Sequence, residues 1–407
     1  MHLLLIHQAF ASPNEPGGTR HYELARHLVR HGHRVTIVAS DLSYLTGRRT
    51  TEHRGLVARE ELDGITVLRA YTYPTLHRSF VWRIVSFLSF MLTSVAAALR
   101  AGPVDLVMGT SPPIFQAVSA WLAALLHRRP FLLEIRDLWP EFAIDLGVLN
   151  NRFLIVLSRW LERFLYARAT HLLVNSPAYR DYLLRKGVPA DKISLIPNGV
   201  DPTMFDPDAR GERLRAEWGL DGKFVATYAG ALGLANDIPT ILRAAGRLRS
   251  RPEIHFLLVG DGKERPNLEA LAHQLDLKNV TFVGPRPKSE MAEVLAASDA
   301  CIATLQDIPM FRTTYPNKVF DYMAAGRPTV LAIDGVIRQV IEAAQGGIFV
   351  TPGDDAALAA AVHRLADDPA HARALGRAAR DYVVAHFDRR NQAEAFMKLA
   401  TRLSARG

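Results

Sequence analysis

The segment "YPNKVFDYMAAGRPTVLA", residues 315–332, places one carboxylate, Asp321, in an otherwise apolar stretch with helical character. Its Pro-Asn-Lys start suits the first turn of a helix, and Gly326 shortly before a proline is typical of a helix C-terminus. The backbone N–H groups around Asn317 and Lys318 can then receive an anion. Asp321, one turn further on, can accept hydrogen bonds from hydroxyl groups attached to that anion. A nucleotide sugar offers both groups.

Two glycine-containing loops each follow a predicted strand and precede a predicted helix. Gly17 and Gly18 lie in "NEPGGTRHYE", and Gly230 and Gly233 lie in "TYAGALGLAND". Glycine lets the backbone approach a ligand closely, and the N-terminus of the following helix favours an anion. Neither loop has the G-x-G-x-x-G or Walker pattern, and a plain tight turn is the alternative explanation. Two such loops favour anion binding more than either one does alone.

Further charged residues follow predicted strands. Arg136 and Asp137 end a strand in "LLEIRDLWPEF", at the edge where α/β sheets bind ligands. The alternative is a structural Arg–Asp pair that orients the following turn. Lys263, Arg265 and Arg286 follow strands of the second half in "VGDGKERPNLE" and "VGPRPKSEM". They could bind a phosphate or flank a base, or they could be solvated surface charges.

The composition limits the possible classes of protein. A chain of 407 residues exceeds what one core usually holds and indicates two domains. The single cysteine, Cys301, excludes an intrachain disulfide, fits a reducing compartment and lies in a segment typical of a buried strand. The net charge of +8 favours anionic partners, but the basic residues lack the interleaved aromatic side chains of nucleic-acid surfaces. We expect no protein-bound metal and no nucleophilic hydrolase, since the fifteen histidines lack a spacing such as H-E-x-x-H and no G-x-S-x-G occurs.

Strand-like and helix-like segments alternate along the chain, which predicts parallel sheets covered by helices. The predicted strands include "LLLIHQ", "RVTIVAS", "VDLVMGT", "PFLLEIR", "KFVATYAGAL" and "IHFLLVGDG". The turn residues of "KISLIPNGVDPTMF" interrupt this pattern, and we place a domain boundary between residues 197 and 198. The predicted architecture is α/β, with two doubly wound Rossmann-like domains and a ligand in the cleft between them.

The segment "SFVWRIVSFLSFMLTSVAAALR", residues 79–100, has three interpretations. After Arg83 it is uncharged for sixteen residues, short of the ~20 that a membrane span needs. We favour a helix buried in an α/β layer over a helix that rests partly on a membrane surface, and both over a true span. The start "MHLLLIHQAF" is interpreted as a first strand rather than a secretory leader.

The chain resembles the retaining glycosyltransferases of family 4, which have the GT-B fold. The similarity covers nearly the whole length and is carried in order by "PNEPGGTRHYELARHLVRHGHRVTIVAS", "LLEIRDLWPE", "LIPNGVD", "YAGALG", "LLVGDGKERPNLE", "VTFVGP" and "PNKVFDYMAAGRPTV". The form with "RDLWP" and "PNK" is similar to the bacterial subgroup that builds capsule, O-antigen or colanic-acid-like polysaccharides, fucosamine-type transferases included. The resemblance implies an acceptor-binding domain over residues 1–197, a nucleotide-sugar-binding domain over residues 198–385, and a C-terminal helix over residues 386–407 that returns to the first domain.

The resemblance also implies roles for individual residues. Asp321 matches an acidic residue that hydrogen-bonds the ribose of the donor nucleotide, and Gly17 and Gly18 match a loop that lies against the donor phosphates. The predicted catalytic residues are Arg136, Asp137 and Lys318. The predicted donor-binding residues are Gly17, Gly18, Gly230, Gly233, Lys263, Arg265, Pro285, Arg286, Thr314, Tyr315, Asn317 and Asp321.

Three features depart from the family's pattern. An acidic residue that contacts the sugar in many members is replaced by Thr313, so the backbone N–H groups that follow it are expected to bind the sugar. Arg136 stands where many relatives have a histidine near the reacting sugar. The loop over residues 230–237 lacks the basic side chains that neutralise the departing diphosphate. The candidates to replace them are Lys318, Lys263 and Arg265.

The function that the resemblance implies is retaining transfer of a sugar, an N-acetylated or deoxy hexose, from a nucleotide-diphosphate donor, with UDP favoured over GDP. The implied acceptor is an undecaprenyl-diphosphate-linked saccharide, used in cell-surface polysaccharide or lipopolysaccharide synthesis by a cytoplasmic protein that is peripheral on the inner membrane. No cofactor and no nucleic-acid partner are expected. The alternatives are a nucleotide-sugar 2-epimerase, which would consume donor without acceptor, and an inactive homologue that binds nucleotide sugars. A non-catalytic sugar-binding protein is disfavoured.

Overall fold

A computed structural model describes residues 1–15, 18–42, 49–50, 55–74 and 80–405. The chain forms two compact units: the first comprises residues 1–12, 17–197 and 390–407, and the second residues 13–16 and 198–389. The division after Pro197 falls where the turn residues placed the domain boundary. The chain re-enters the first unit at Arg390, slightly later than the predicted residue 386.

Each unit contains a sheet that is largely or wholly parallel. In the first unit the strand order is β3-β4-β2-β1-β5-β6-β7-β8, with only β3 antiparallel to its neighbour. In the second unit the order is β11-β10-β9-β12-β13-β14, with every pairing parallel. The strands are β1 (His2–Ile6), β2 (Arg34–Ser40), β3 (Val57–Leu62), β4 (Ile65–Ala70), β5 (Leu106–Ser111), β6 (Phe131–Ile135), β7 (His171–Val174), β8 (Ile193–Leu195), β9 (Phe224–Ala229), β10 (Ile254–Val259), β11 (Val280–Val283), β12 (Ala300–Thr304), β13 (Thr329–Ala332) and β14 (Gly347–Phe349).

Helices connect most of these strands, as the alternating pattern predicted. They are α1 (Arg20–Arg30), α2 (Phe80–Leu99), α3 (Ile114–His127), α4 (Glu141–Asp145), α5 (Arg152–Arg168), α6 (Pro177–Arg185), α7 (Glu212–Glu217), α8 (Ile238–Arg247), α9 (Arg265–Gln274), α10 (Met291–Ala296), α11 (Asn317–Ala324), α12 (Val336–Ala344), α13 (Asp355–Asp367), α14 (Pro369–Phe387) and α15 (Arg389–Ser404).

The hairpin of β3 and β4 was not predicted. It turns at Asp63 and Gly64, both with positive φ (49° and 80°), and Asp-Gly is a strong signal for a two-residue hairpin turn. The segment "VAREEL" that forms β3 is an edge strand with polar side chains. An edge strand needs no continuous apolar run, so its sequence resembled a loop.

Helices cover both faces of the sheet in the first unit. Leu28 of α1 and Phe396 of α15 share one buried cluster with Met108 of β5. Gly109 follows Met108, and a Cβ at Gly109 would lie 2.4 Å from Cβ of Ala120 in α3. Because successive strand residues point to opposite faces, α3 covers the face opposite to α1 and α15.

The second unit is built in the same way. Cys301 of β12 packs in one cluster with residues of α11 and α14, whereas its neighbour Ile302 packs in another with residues of α8 and α13. Cys301 is fully buried, as predicted, and burial raises the pKa of its thiol. A buried, protonated thiol is a poor nucleophile.

The described ranges contain no helix with the length and apolar character that crossing a bilayer requires. Helix α2, which forms most of the ambiguous segment 79–100, buries Phe90, Ala97 and Ala98 against its unit. It exposes Leu88, Leu92 and Leu99 on its other side.

Candidate functional site

Helix α11 has the ends that its sequence predicted. It begins at Asn317, directly after the proline, and ends before Gly326, which has a φ of +66°. The backbone N–H groups of Gly326 and Arg327 donate to the carbonyl groups of Met323 and Tyr322, both at 3.0 Å. Glycine is favoured at this left-handed position because it lacks a Cβ. The proline and the glycine of this segment therefore predicted both ends of α11 correctly.

The amine of Lys318 lies against the glycine loop after β9. Its Nζ donates to Tyr228 OH at 2.6 Å, lies 3.4 Å from Oδ1 of Asn236, and sits 3.9 Å from the centroid of the Tyr228 ring. A Cβ at Gly230 would be only 2.7 Å from this Nζ. Lys318, Lys263 and Arg265 were the candidates to replace the basic side chains that this loop lacks. The contacts with Tyr228 and Asn236 place the amine of Lys318 at the loop.

Burial lowers the pKa of Lys318 to about 7. The ordinary value is near 10.4, and desolvation disfavours the charged form of an amine. An anion next to Nζ would favour the charged form and raise this pKa again. Lys318 is therefore suited to receive a proton when a phosphate binds.

The glycines of this region have two different structural roles. A Cβ at Gly260 would lie 1.9 Å from the carbonyl oxygen of Gly230, and one at Gly262 would lie 2.4 Å from that of Leu232. These two glycines let the loops after β9 and β10 pack backbone to backbone. Gly230 instead leaves room for the amine of Lys318. At Gly233, by contrast, φ is −113°, and a Cβ would lie 3.8 Å from the nearest side-chain atom, Nδ2 of Asn236. Neither the backbone conformation nor the space within the described structure therefore requires glycine there.

Asp321 forms an ion pair that the sequence did not predict. Nζ of Lys288 lies 2.5 Å from Oδ2 of Asp321, and the two side chains are only 12% and 16% exposed. Lys288 also lies 5.5 Å from the ring centroid of Phe205. The segment "VGPRPKSEM" predicts a basic loop, but its sequence does not show which of Arg286 and Lys288 reaches Asp321.

The other predicted donor-binding cations have partners of their own. Arg286 pairs with Glu290 at 3.2 Å and lies over the Trp218 ring at 5.6 Å. Arg265 pairs with Glu269, one turn further along α9, at 2.7 Å. These contacts fit the surface-charge alternative for both arginines. Lys263 and Pro285 are exposed loop residues, so the donor roles of these four remain predictions.

The residues just before α11 have side chains engaged elsewhere. Thr314 Oγ1 donates to the Phe311 carbonyl at 2.9 Å. The Tyr315 ring packs edge-on against Phe320 and Phe387, at centroid distances of 5.6 and 6.0 Å. The backbone N–H of Thr314 also donates to the Phe311 carbonyl, at 3.3 Å. The donor roles of Thr314 and Tyr315 therefore remain predictions. Oδ1 of Asn317 is buried without a hydrogen-bond partner among the described residues.

In the first unit, Arg136 contacts a histidine rather than Asp137. Its guanidinium donates to Nε2 of His7 at 3.2 Å, and its buried Nε has no hydrogen-bond partner in the described part of the chain. Within the same part, no ion pair joins Arg136 to Asp137, contrary to the structural-pair alternative. Burial raises the pKa of Asp137 to about 6, although Arg136 acts in the opposite direction. Both residues follow β6, as predicted.

Behind Arg136 lies a buried polar cluster that the sequence did not reveal. Glu134 is fully buried and accepts from Nε of Arg20 at 2.9 Å and from Nε2 of His21 at 2.5 Å. Burial alone would raise the pKa of Glu134, but His21 and Arg20 hold it well below its ordinary value. Arg20 also donates to the carbonyl groups of Ile196 and Pro197, each at 2.8 Å. Arg20 thus connects the segment that follows β8 to Glu134 of β6.

His7 joins this cluster to Arg136. Burial lowers the pKa of His7 well below its ordinary value, and His21 and Arg136 lower it further. His7 is therefore neutral. Because Arg136 can only donate, Nε2 of His7 is the acceptor and its Nδ1 carries the proton that faces Oγ1 of Thr110 at 2.9 Å. The sequence feature that could have identified His7 as a site residue is its position directly after β1.

The first glycine loop is only partly described. Gly17 lies outside the described residues. Gly18 is exposed two residues before α1. Thr19 donates its hydroxyl to Glu23 in the first turn of this helix, at 2.5 Å. The prediction that this loop approaches donor phosphates remains a prediction.

One cluster corrects the statement that the histidines lack a metal-ligand spacing. His27 lies in the last turn of α1, and His31, four residues further on, follows the helix directly. With Glu394 of α15 they bring ligand atoms within 4.8 Å of one another. A pair of histidines at i and i+4 on one helix face is a common metal-binding arrangement. This cluster shares no residue with the groups around Lys318 or Arg136.

Comparisons with known proteins agree with this division of the chain. Residues 17–199 match the model of the glycosyl transferase 4-like domain, and residues 223–368 match the model of glycosyl transferases group 1. The two matches together include most of the chain. The chain is a glycosyltransferase built from these two domains.

One curated relative and two solved structures match this glycosyltransferase over nearly its whole length. The putative colanic acid biosynthesis glycosyl transferase WcaI of Escherichia coli (strain K12) is 25% identical over 406 residues, which cover 97% of this chain and 98% of that protein. The structure of sucrose-phosphate synthase from Thermosynechococcus elongatus covers 100% of both chains with a TM-score of 0.79 and 23% identity. Anabaena Alr3699/HepE, in complex with UDP and glucose, covers 98% of this chain and 99% of its own, with a TM-score of 0.74 and 19% identity. The predicted GT-B fold is confirmed.

Proposed function

We propose that this glycosyltransferase moves a sugar from a UDP-linked donor to a lipid-linked saccharide with retention of configuration, in the synthesis of a cell-surface polysaccharide. The observation that carries this proposal is the arrangement at the start of α11. Lys318 places a titratable amine against the Gly230 turn, and Asp321 lies one helical turn away in an ion pair with Lys288. A cation beside free backbone N–H groups suits a diphosphate, and an adjacent carboxylate suits the two hydroxyl groups of a ribose.

The proposed chemistry depends chiefly on the departing diphosphate. The bond from the anomeric carbon to the diphosphate oxygen breaks as the acceptor oxygen bonds to that carbon, and negative charge grows on the diphosphate. Lys318 and the first N–H groups of α11 would stabilise this charge, and loss of one such preorganised donor typically costs about 2.7–4 kcal/mol. Arg136 and Asp137 would serve the acceptor, whose hydroxyl gives its proton either to the Asp137 carboxylate or to the departing diphosphate.

Two comparisons support the finer parts of the proposal. HepE has been crystallised with UDP and glucose, which supports UDP as the donor nucleotide. WcaI is named for colanic acid biosynthesis, which supports a polysaccharide product and hence an undecaprenyl-diphosphate-linked acceptor on the cytoplasmic face of the inner membrane. The excess of basic residues, with a net charge of +8, suits an anionic donor and an anionic acceptor.

The first test is thermal stabilisation of the protein by UDP, GDP, ADP and dTDP. A nucleotide present at 100 times its dissociation constant stabilises the folded state by about 2.7 kcal/mol. We expect selective stabilisation by UDP, with loss of most of it in Asp321→Ala. The matched control is Asp367→Ala, which removes a surface carboxylate that is paired with Arg251 in the same unit.

A 2′,3′-dideoxy analogue of the stabilising nucleotide then tests the ribose contact. On the wild-type protein, the analogue should bind more weakly than the parent nucleotide. On Asp321→Ala, the analogue and the parent nucleotide should bind with equal affinity, because the carboxylate that distinguishes them is gone. If no nucleotide stabilises the wild-type protein, the enzymatic proposal is wrong, whereas nucleotide binding without transfer to any acceptor would favour the inactive homologue. Release of UDP without acceptor, together with an altered sugar, would instead favour the 2-epimerase.

A further inference from the structure

Helix α5 carries large apolar side chains on the side that faces solvent. Phe153, Val156, Leu157 and Trp160 are 73%, 67%, 45% and 58% exposed, whereas Leu165 is buried. The spacing i, i+3, i+4 and i+7 places the four exposed residues on one stripe of the helix, which we call the α5 stripe. A surface helix normally buries such a stripe, and a contiguous exposed apolar patch marks an interaction site.

Neighbouring helices of the first unit also expose large apolar side chains. Helix α3 lies between α5 and α2: Trp121 of α3 contacts Phe164 of α5 edge-on at 4.9 Å, and Phe115 of α3 stacks on Phe87 of α2 at 6.1 Å. In the described part of the second unit, by contrast, the exposed large apolar residues are only Leu234 and Val384. Among the described side chains of α2 and α3, the exposed large apolar ones are Trp82, Leu88, Leu92, Leu99, Leu125 and Leu126.

The exposed charges of α5 are all positive. Arg152, Arg163 and Arg168 are exposed, and Arg159 forms an ion pair with a carboxylate of α4. The single acid of this helix, Glu162, is buried and paired with a lysine. An apolar stripe with arginines beside it and no exposed acid complements a surface that has an apolar interior and anionic headgroups.

We propose that the α5 stripe docks this protein on a bilayer that contains anionic lipids. Phe153 and Trp160 would enter the boundary between headgroups and acyl chains, and Arg152 and Arg163 would contact lipid phosphates. The inference rests on the proposed function in one respect, because a lipid-linked acceptor is held at such a surface. The competing occupant is a second copy of the chain. Apposed copies of α5 would bring like-charged arginines together, which disfavours that pairing.

The test is sedimentation of the full chain with vesicles of phosphatidylcholine, with and without an equal share of phosphatidylglycerol. We expect binding to the anionic vesicles and a loss of about tenfold or more in partitioning for Phe153→Ser with Trp160→Ser, since burial of one large apolar side chain is commonly worth a tenfold factor or more. Arg152→Gln with Arg163→Gln should weaken binding to the anionic vesicles only. Val384→Ser, at an exposed apolar residue of α14 in the other unit (40%), should bind like the wild type.

Insertion of the stripe has a direct readout. Brominated phosphatidylcholine should quench the fluorescence of Trp160, so Trp160→Phe should bind vesicles normally but lose that part of the quenching. Failure of the wild type to bind anionic vesicles would overturn the inference, as would unchanged binding by the Phe153 and Trp160 double variant. If the wild type is a dimer that does not bind vesicles, and the double variant is a monomer, the stripe is a self-association surface instead.

Nucleotide stabilisation of the same preparations separates this inference from the proposed function. A protein that responds to UDP but ignores vesicles contradicts only the docking surface. A protein that binds vesicles but no nucleotide contradicts only the transferase.

Discussion

Nζ of Lys288 lies 2.5 Å from the Asp321 carboxylate, within the part of the second unit that holds Lys318 and the start of α11. This ion pair has two consequences for a nucleotide ligand. It fixes the orientation of the carboxylate before the ligand arrives. It also offsets the negative charge of Asp321, which would otherwise repel a diphosphate bound one helical turn away.

Lys288→Met should therefore weaken binding of the nucleoside diphosphate, by about tenfold, a factor that corresponds to ~1.4 kcal/mol. Adding Asp321→Asn removes the uncompensated charge, so the double variant should lose less affinity than the two single losses combined. Isothermal titration calorimetry of the four proteins measures this coupling. Lys278→Met, at a surface lysine paired with Asp276, should leave the affinity unchanged. Additive losses would show that the pair does not act as a unit.

Binding of the nucleotide should also be linked to a proton through Lys318. Burial lowers the pKa of this amine to about 7, so the free protein holds it mostly neutral at pH 8 and mostly charged at pH 6. If a diphosphate requires the charged form, binding takes up close to one proton at pH 8 and very little at pH 6. Calorimetry in two buffers of different ionisation enthalpy counts these protons. Lys318→Arg keeps a charge at both pH values and should abolish the uptake; an uptake that persists would assign the proton to another group.

Two glycines at neighbouring strand ends provide a matched comparison. In Gly230→Ala, the new Cβ would meet the flexible end of Lys318 at 2.7 Å, at a φ of +155°. The amine should move and nucleotide affinity should fall, and the strained backbone should cost about 1–3 kcal/mol of unfolding free energy. In Gly260→Ala, the Cβ would meet a backbone oxygen at 1.9 Å, at a φ of +145°. This variant has the same backbone strain and, in addition, a clash that no flexible side chain can relieve, so it should lose more unfolding free energy than Gly230→Ala does. Thermal melts and nucleotide titrations of both variants check this; equal destabilisation would contradict the assignment of Gly230 to the ligand site.

The features that the sequence predicted well are those whose signals are local. The ends of α11 follow from a proline before Asn317 and from Gly326, all within one short segment. The contact of Lys318 with Tyr228 joins residues that are 90 positions apart, and no local pattern reveals which of several lysines reaches a given loop. The partner of Asp321 was missed for the same reason.

The first unit shows the same limit. The end of β6 was recognised as a ligand edge, but Arg20 and His21 reach Glu134 across 114 and 113 residues. The apolar pattern of α5 is equally consistent with a core helix, so only the structure reveals that Phe153 and Trp160 face outward. Side-chain pairing and helix orientation are tertiary properties, and periodicity alone does not determine them.

The pKa of Asp137 predicts how the transfer depends on pH. Burial raises it to about 6, so the carboxyl group is neutral below that pH and ionised above it. If the ionised form orients the acceptor or receives its proton, kcat/KM should rise with pH to a plateau above about 6, because this ratio reports the free enzyme. Asp137→Asn should lower the plateau and remove the rise, whereas Asp145→Asn, on the exposed end of α4, should retain both. A rise that survives in Asp137→Asn would belong to a different group.

The buried cluster around Glu134 should contribute to stability rather than to binding. In Glu134→Ala the guanidinium of Arg20 and the ring of His21 lose a partner in a fully buried setting, and breaking such a pair typically costs about 3–5 kcal/mol. The pKa of Glu134 lies well below its ordinary value, so this contribution is present above the pKa of the unfolded chain and is lost as the pH falls toward the lower folded value.

Denaturant unfolding at pH 7 and at lower pH tests both statements. The wild type should lose unfolding free energy on acidification more steeply than Glu134→Ala does, so the difference between the two proteins should shrink. Glu61→Ala is the control, because it removes an exposed glutamate that is paired with Arg59, and such pairs are worth about 0–1 kcal/mol. Equal losses from the two glutamate variants at pH 7 would mean that the cluster does not stabilise the first unit.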